Sequence, residues 1–288
     1  MAPGKRICDL SCGKGGETSR MLASRGCQIV ATEYKIPPPM GDSIRRVGGV
    51  DLNQYLPFQE ATFDGVNLIE VIEHIENQAQ LVREIARVLK EGGVAVISTP
   101  NILNALSRLR FLFTGFLRGR VRPAHYTKGP GQAPNIYLIH FYELYFLLFH
   151  YGFEIEELRR TKVKSAPVFC TVFLYPLMWL FSLEAVIRAE KDPLQRRLNW
   201  RILKYLFSLP LLLSDNIVVK VRKKTGNEVA HSRAGKTAQL ELKNGLRKSR
   251  LRLIGAPFIV PALFRRLRGR CGSSLCEKFF WRSSGVKN

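Results

Sequence analysis

Ile7-Cys8-Asp9-Leu10-Ser11-Cys12-Gly13-Lys14-Gly15-Gly16 is the stretch on which the reading of this 288-residue chain turns. A short apolar run ends in an acid, a turn of small residues follows, and Glu17 to Ser24 reads as the first turns of a helix. Strand, glycine loop and helix in that order are how an α/β sheet holds a nucleotide at the carboxyl end of its first strand. The acid decides which kind. A G-x-G-x-x-G loop offers its helix N-terminus to a pyrophosphate, and a carboxylate at Asp9 repels such a group. It suits a ligand that carries an ammonium or sulfonium.

Working outward, Gln28-Ile-Val-Ala-Thr-Glu33 is a second short strand ending in an acid. Its offset from the loop, about 20 residues, is the spacing at which a carboxylate reaches ribose hydroxyls. Val50-Asp51-Leu52-Asn53, Phe63-Asp64-Gly65-Val66 and Glu70-Val71-Ile72-Glu73-His74 come next. Leu81 to Leu89 has helical periodicity, and Gly92-Gly93 leads into the strand Val94 to Thr99. The alternation predicts a doubly wound, mostly parallel α/β sheet. Taken in this order, the motifs resemble the class I S-adenosylmethionine-dependent methyltransferases, within them the branch of the ubiquinone-biosynthesis O-methyltransferases. The resemblance covers residues 5 to 162 and a last strand near 215 to 222, and implies a Rossmann-like methyltransferase fold.

The resemblance also implies roles. Asp9, Ser11, Gly13 and Gly15 face the amino-acid end of S-adenosylmethionine, where glycine lets the backbone approach closely. Ser11 stands where the family usually has glycine, so a left-handed backbone there is strained. Glu33 accepts from both ribose hydroxyls; Asp51 takes the exocyclic amine of adenine and Leu52 packs its ring. Glu70 ends the fourth strand beside the cofactor. Glu73 and His74 are the candidate catalytic pair, with His74 a general base for a hydroxyl acceptor. Two other readings of Glu70, Glu73 and His74 stay open: a divalent-cation site, and a structural turn. His125 and His140 read as structural or acceptor-side. No Asn-Pro-Pro-Tyr-type motif follows strand four, which disfavours methylation of an exocyclic base amine. Relatives usually carry a helix ahead of the first strand; its absence here implies a truncated or mis-started chain.

The composition adds a second theme. The net charge is +22, from 45 Lys and Arg against 23 Asp and Glu, and the excess is concentrated after Lys220. Such a surface attracts phosphates of lipid or nucleic acid. Few aromatics interleave the basic tail, which makes nucleic acid the weaker partner. Cysteines 8, 12, 27, 170, 271 and 276 form no zinc spacing or disulfide framework, and with no secretory signal in view a reduced, cytoplasmic protein is expected.

Between Lys164 and Glu184 no residue is charged, and Arg188, Lys191, Arg196, Arg197, Arg201 and Lys204 follow. The run approaches the length of a bilayer span, with Pro176 in its middle. An element dipping into the cytoplasmic leaflet, its cations at anionic headgroups, is the favoured reading; a lid packed on the soluble core is the other. Leu103 to Leu117 reads as an amphipathic helix interleaved with Arg108, Arg110 and Arg118. The expected organisation is a methyltransferase domain (1–162 and 214–222), an apolar insertion (163–213) and a basic tail (223–288). The leading function is O-methylation of a small-molecule or lipid-linked, membrane-near acceptor; a nucleic-acid methyltransferase and a catalytically idle membrane adaptor are the alternatives.

Overall fold

The computed structural model describes residues 3–13, 15–35, 43–116, 137–161, 163, 165–189 and 192–228. Seven strands form one sheet: β1 (Arg6–Asp9), β2 (Gln28–Thr32), β3 (Ile44–Val47), β4 (Phe63–Ile69), β5 (Leu89–Pro100), β6 (Phe153–Arg160) and β7 (Asn216–Lys223). Their order is β3-β2-β1-β4-β5-β7-β6. β1 to β5 run parallel, and β7 is antiparallel to both β5 and β6. The order reverses between β1 and β4, the switch point outside whose strand ends such sheets bind ligands.

Alternation along the central strands assigns the two faces. Ile7, Ile29 and Ala31 pack with Leu22 of α1 (Glu17–Ala23), whereas Cys8 and Val30 join the larger core on the other face. That core takes the apolar stripe of α2 (Gln78–Val88), including Leu81, Ile85 and Val88, and Phe141, Leu144 and Leu148 of α4 (Phe141–His150). The Asn77 side chain caps α2 by accepting from the Gln80 N–H at 3.1 Å.

Two features differ from the sequence expectation within the sheet. β3, Ile-Arg-Arg-Val on the sheet edge, was not assigned as a strand; its arginines are exposed, as an edge strand permits. β5 starts at Leu89, five residues before Val94, and passes through Gly92 at φ 73°. Gly93 is required there: a Cβ would sit 2.8 Å from the Lys90 carbonyl oxygen.

The insertion is helical. α5 (Ser165–Ala189) runs 25 residues without a break at Pro176, followed by α6 (Pro193–Leu206) and α7 (Leu209–Leu213). The apolar stretch of α5 is largely uncovered. Only 6% of the Pro167–Glu184 window is buried, and the helix is long and apolar enough to cross a membrane. Phe169, Phe173, Leu177, Leu180 and Phe181 are each more than half exposed. α5 leans instead on its neighbours: Trp179 against Trp200 and Phe207, and Tyr175 edge-on to Phe207.

α3 (Ala105–Thr114) is shorter than the expected 103–117 stretch; it ends at Gly115, which takes φ 69°. Arg108 is not a surface cation. Its guanidinium is drawn under α5 and donates to the carbonyls of Leu103 (2.7 Å) and Leu206 (3.3 Å) and to Met178 Sδ (3.6 Å). Leu112 and Phe113 are exposed. Arg118, His125, the Gly129–Pro134 connector, Cys271, Cys276 and the tail beyond Glu228 lie outside the described residues.

Candidate active site

A cleft of about 1130 Å³ opens at the carboxyl ends of β1, β2 and β4. Asp9, Ser11, Gly13, Gly15, Glu33, Asp51, Leu52, Glu70 and His74 all line it. Of the predicted site residues, Glu73 alone does not.

The loop after β1 is a sequence of left-handed turns, at Ser11 (φ 55°), Gly13 (φ 71°) and Gly16 (φ 54°). Glycine adopts this conformation freely, whereas serine does so at a cost of about 1–2 kcal/mol. The strain expected at Ser11 is therefore present. Its partners hold it: the Ser11 N–H donates to Thr32 Oγ1 at 3.2 Å and its hydroxyl to Glu33 Oε1 at 3.4 Å. Gly13 N–H donates to the same Glu33 oxygen at 2.7 Å. Oε2 has no protein partner among the described residues. The carboxylate thus enters the cleft with one oxygen fixed by the loop and one left for a hydroxyl, where the sequence reading assigned both to the ribose.

Asp9 is buried and accepts from the Ser19 hydroxyl of α1 at 2.5 Å. Burial raises its pKa; the Ser19 bond opposes that shift and the nearby Glu33 charge adds to it. A second carboxylate this close to Asp9 makes the spot one where a cation is favoured. Asp51 accepts from the backbone and side-chain N–H groups of Asn53, at 2.9 and 3.2 Å. The chain that follows is anchored by Glu84, which accepts from the Leu56 N–H, and Arg87, which donates to the carbonyls of Leu56 and Phe58.

Glu70 also adopts a left-handed backbone, at φ 55°. Its carboxylate is tied into the sheet: Oε1 accepts from the Ser98 hydroxyl at 2.6 Å and Oε2 from Asn216 Nδ2 at 2.8 Å. Desolvation raises its pKa, with the Ser98 bond opposing. Strained backbone of this kind persists only where surrounding bonds over-determine it.

A three-residue 3₁₀ turn, Ile72–His74, follows β4. Successive side chains on such a turn point about 120° apart. His74 therefore lines the cleft while Glu73 is buried, its carboxylate 3.4 Å from Thr99 Oγ1. Desolvation is the main reason the Glu73 pKa rises to about 7. Glu73, expected beside His74 as a catalytic residue, is therefore placed inside the protein and off the cleft lining. Partial burial lowers the His74 pKa and keeps its imidazole neutral near pH 7. Among the described residues no group of three His, Cys, Asp or Glu side chains converges as a metal site. With Glu73 buried and Glu70 tied at both oxygens, these residues do not form the ligand set that the sequence left open.

Several lining residues escaped the sequence reading, among them Tyr34, Ile75 and Tyr137. Tyr137 arrives from far along the chain. Its N–H donates to the Glu73 carbonyl at 3.1 Å and its carbonyl accepts from Gln78 Nε2 at 2.6 Å. His140 proves structural; it precedes α4, with Nδ1 2.8 Å from the Glu143 carboxylate.

The residues fit S-adenosylmethionine: an acid-lined floor for its charged end, glycines in the loop that would face it, and a Glu33 carboxylate oxygen without a protein partner among the described residues for a ribose hydroxyl. The comparisons agree. A family model described as a methyltransferase domain matches residues 2–158, and the chain belongs to that family of class I S-adenosylmethionine-dependent methyltransferases. A ubiquinone biosynthesis O-methyltransferase of Hahella chejuensis is 31% identical over 110 residues, which is 34% of this chain and 44% of that protein. The sterol 24-C-methyltransferase erg6 of Schizosaccharomyces pombe is 33% identical over 103 residues, 32% of this chain and 27% of that protein. The chain thus spans less than half the length of these curated relatives. Among solved structures, an S-adenosylmethionine-dependent methyltransferase from Mesorhizobium loti aligns at a TM-score of 0.44 and 17% identity, covering 77% of this chain and 92% of that one.

Proposed function

We propose that the protein methylates an oxygen of a lipid-linked or otherwise membrane-near acceptor, with His74 as the base. The observation that carries the reading is the convergence of Asp9, Glu33, Asp51 and His74 on one cleft at the sheet's switch point. When bound, S-adenosylmethionine supplies a methyl group already activated by its sulfonium, so the protein's task is mainly positioning. Asp9 and the glycine loop hold the cationic end. Glu33 Oε2 accepts from the ribose, and Asp51 with Leu52 takes the base. Neutral His74 accepts the hydroxyl proton of the acceptor as oxygen attacks.

The acceptor class rests on the helical insertion. α5 presents phenylalanine and leucine side chains outward, and α6 carries Arg196, Arg197, Arg201 and Lys204. Apolar side chains beside cations favour an anionic bilayer surface, and the cytoplasmic leaflet is the anionic one. The similarity to a ubiquinone biosynthesis O-methyltransferase supports the same direction.

Two measurements test the reading. Methyl-labelled donor is incubated with the protein and separate lipid, nucleic-acid and small-molecule extracts. Label is expected in the lipid fraction and absent with His74→Ala; label in nucleic acid alone overturns the acceptor class. Vesicle flotation then compares the intact chain with a Phe173→Gln, Leu177→Gln, Leu180→Gln variant. The intact chain is expected to float with anionic vesicles even at high salt, since apolar insertion is not screened, and the variant to stay behind. An intact chain that never floats removes the membrane from the account.

A further inference from the structure

A second cavity, of about 540 Å³, shares no lining residue with the cofactor cleft. One wall is aromatic. The rings of Tyr145 and Phe149 on α4 lie parallel with centroids 6.5 Å apart, and Tyr205 of α6 packs on Tyr145 at 5.9 Å. The other lining is cationic: Arg201 and Lys204 of α6, and Lys224 just beyond β7. The Lys224 ammonium lies 5.7 Å from the Phe149 ring centroid. Glu154 is the acid in the lining, and its carboxylate is engaged by Arg222 at 3.2 Å. Neither Arg201 nor Lys204 has an acidic partner among the described residues.

Three cations around one hollow, against a single lining acid that is already paired with Arg222, favour an anion. A guanidinium beside ammonium groups matches the oxygens of a phosphate. Aromatic rings alongside favour apolar atoms next to that charge. Burial raises the Tyr205 pKa, so its hydroxyl stays a donor toward such a ligand. The location adds to this. Trp200 and Phe207, from α6 and the residue that follows it, pack on Trp179 and Tyr175 of α5. α6 therefore both lines the cavity and packs on the element with the outward apolar side chains.

We propose that this cavity binds a phosphate-bearing anionic amphiphile. Its phosphate is held by Arg201, Lys204 and Lys224, and its first apolar carbons lie against Tyr145, Phe149 and Tyr205. The site is distinct from the methyl-donor cleft and needs no methyl transfer to operate.

Calorimetry on the full chain tests it with three probes: dihexanoyl phosphatidic acid below its micelle concentration, dihexanoyl phosphatidylcholine, and inorganic phosphate. A monomeric lipid separates binding in the cavity from insertion into a bilayer. The anionic lipid is expected to bind saturably, and Arg201→Gln with Lys204→Gln to weaken it about tenfold or more, some 1.4 kcal/mol. Arg25→Gln with Arg45→Gln removes the same charge elsewhere and is expected to leave the affinity unchanged. Equal loss in both variants, or equal binding of phosphatidylcholine, overturns the proposal, as does absence of saturable binding. Inorganic phosphate binding as tightly as the lipid makes the ligand a free phosphate and overturns the amphiphile. Circular dichroism checks that each variant melts as the wild type does. If the double variant does not, Lys204→Gln alone replaces it, since Lys204 is exposed, and a several-fold loss is expected; none overturns the proposal.

Discussion

The carboxyl end of the sheet and the helical insertion are built by opposite rules. In the cleft, three acids are fixed by short bonds from the backbone or a neighbouring side chain: Glu33 by Gly13, Asp9 by Ser19, Glu70 by Ser98 and Asn216. On α5, phenylalanine and leucine side chains are turned outward, and cations lie on the adjoining α6. The first arrangement holds charge ready for a cationic ligand at little reorganisation cost. The second holds surface ready for a partner, since exposed apolar patches of this kind mark interaction sites. If the chemical step belongs to the sheet end and location to the insertion, as proposed above, substitutions in one are expected to leave the other's readout intact.

The sharpest way to break that division is His74→Ala. Turnover is expected to fall about 100- to 10,000-fold, with donor affinity and vesicle flotation unchanged. The wild-type acid limb should lie below about pH 6.5, the ordinary histidine value, because burial lowers the His74 pKa. Unaltered rates with a known acceptor would make His74 structural.

Glu73 gives the next largest effect, on stability rather than chemistry. Its pKa rises from 4.5 to about 7 in the folded chain, so the native state binds the extra proton between those values. Stability is then fully present below about pH 4.5 and falls as pH rises toward about 7. Glu73→Gln removes that fall and is expected to stabilise the protein by about 2–3 kcal/mol at pH 8, measured by urea unfolding across pH. A parallel pH dependence in both proteins would place the buried charge elsewhere.

Glu33→Ala follows. Loss of a hydrogen bond to a charged group should weaken S-adenosylhomocysteine by about 1.5–3 kcal/mol while flotation persists; an unchanged affinity would remove the ribose from Glu33. The smallest effect is at Ser11. Ser11→Gly relieves the left-handed strain and is expected to raise stability by about 0.5–1 kcal/mol, read from the chemical midpoint. Destabilisation would mean that the serine contacts outweigh the strain.

These regions were also unequally legible in the sequence. β1, its loop and Glu33 were readable because strand, turn and acid are local signals whose spacing is set by the backbone. Glu73 and His74 were readable as a pair but not as opposites, since a short 3₁₀ turn sends adjacent side chains in different directions. Tyr137 was invisible because its place in the cleft depends on a bond to the Glu73 carbonyl across the fold. Arg108 read only as one of the arginines interleaved in an amphipathic helix, because nothing in that helix announces Met178 or Leu206 as partners. Pro176 removes a helical hydrogen bond, yet α5 continues through it. What the sequence carried poorly was long-range packing.

The central claim is that the acid-lined cleft is the methyl-donor site. Calorimetric titration of S-adenosylhomocysteine into the folded chain tests it most directly. The account predicts saturable one-to-one binding, with a rise in melting temperature as ligand exceeds its dissociation constant. Folded protein that shows neither heat of binding nor thermal shift at millimolar ligand would contradict it.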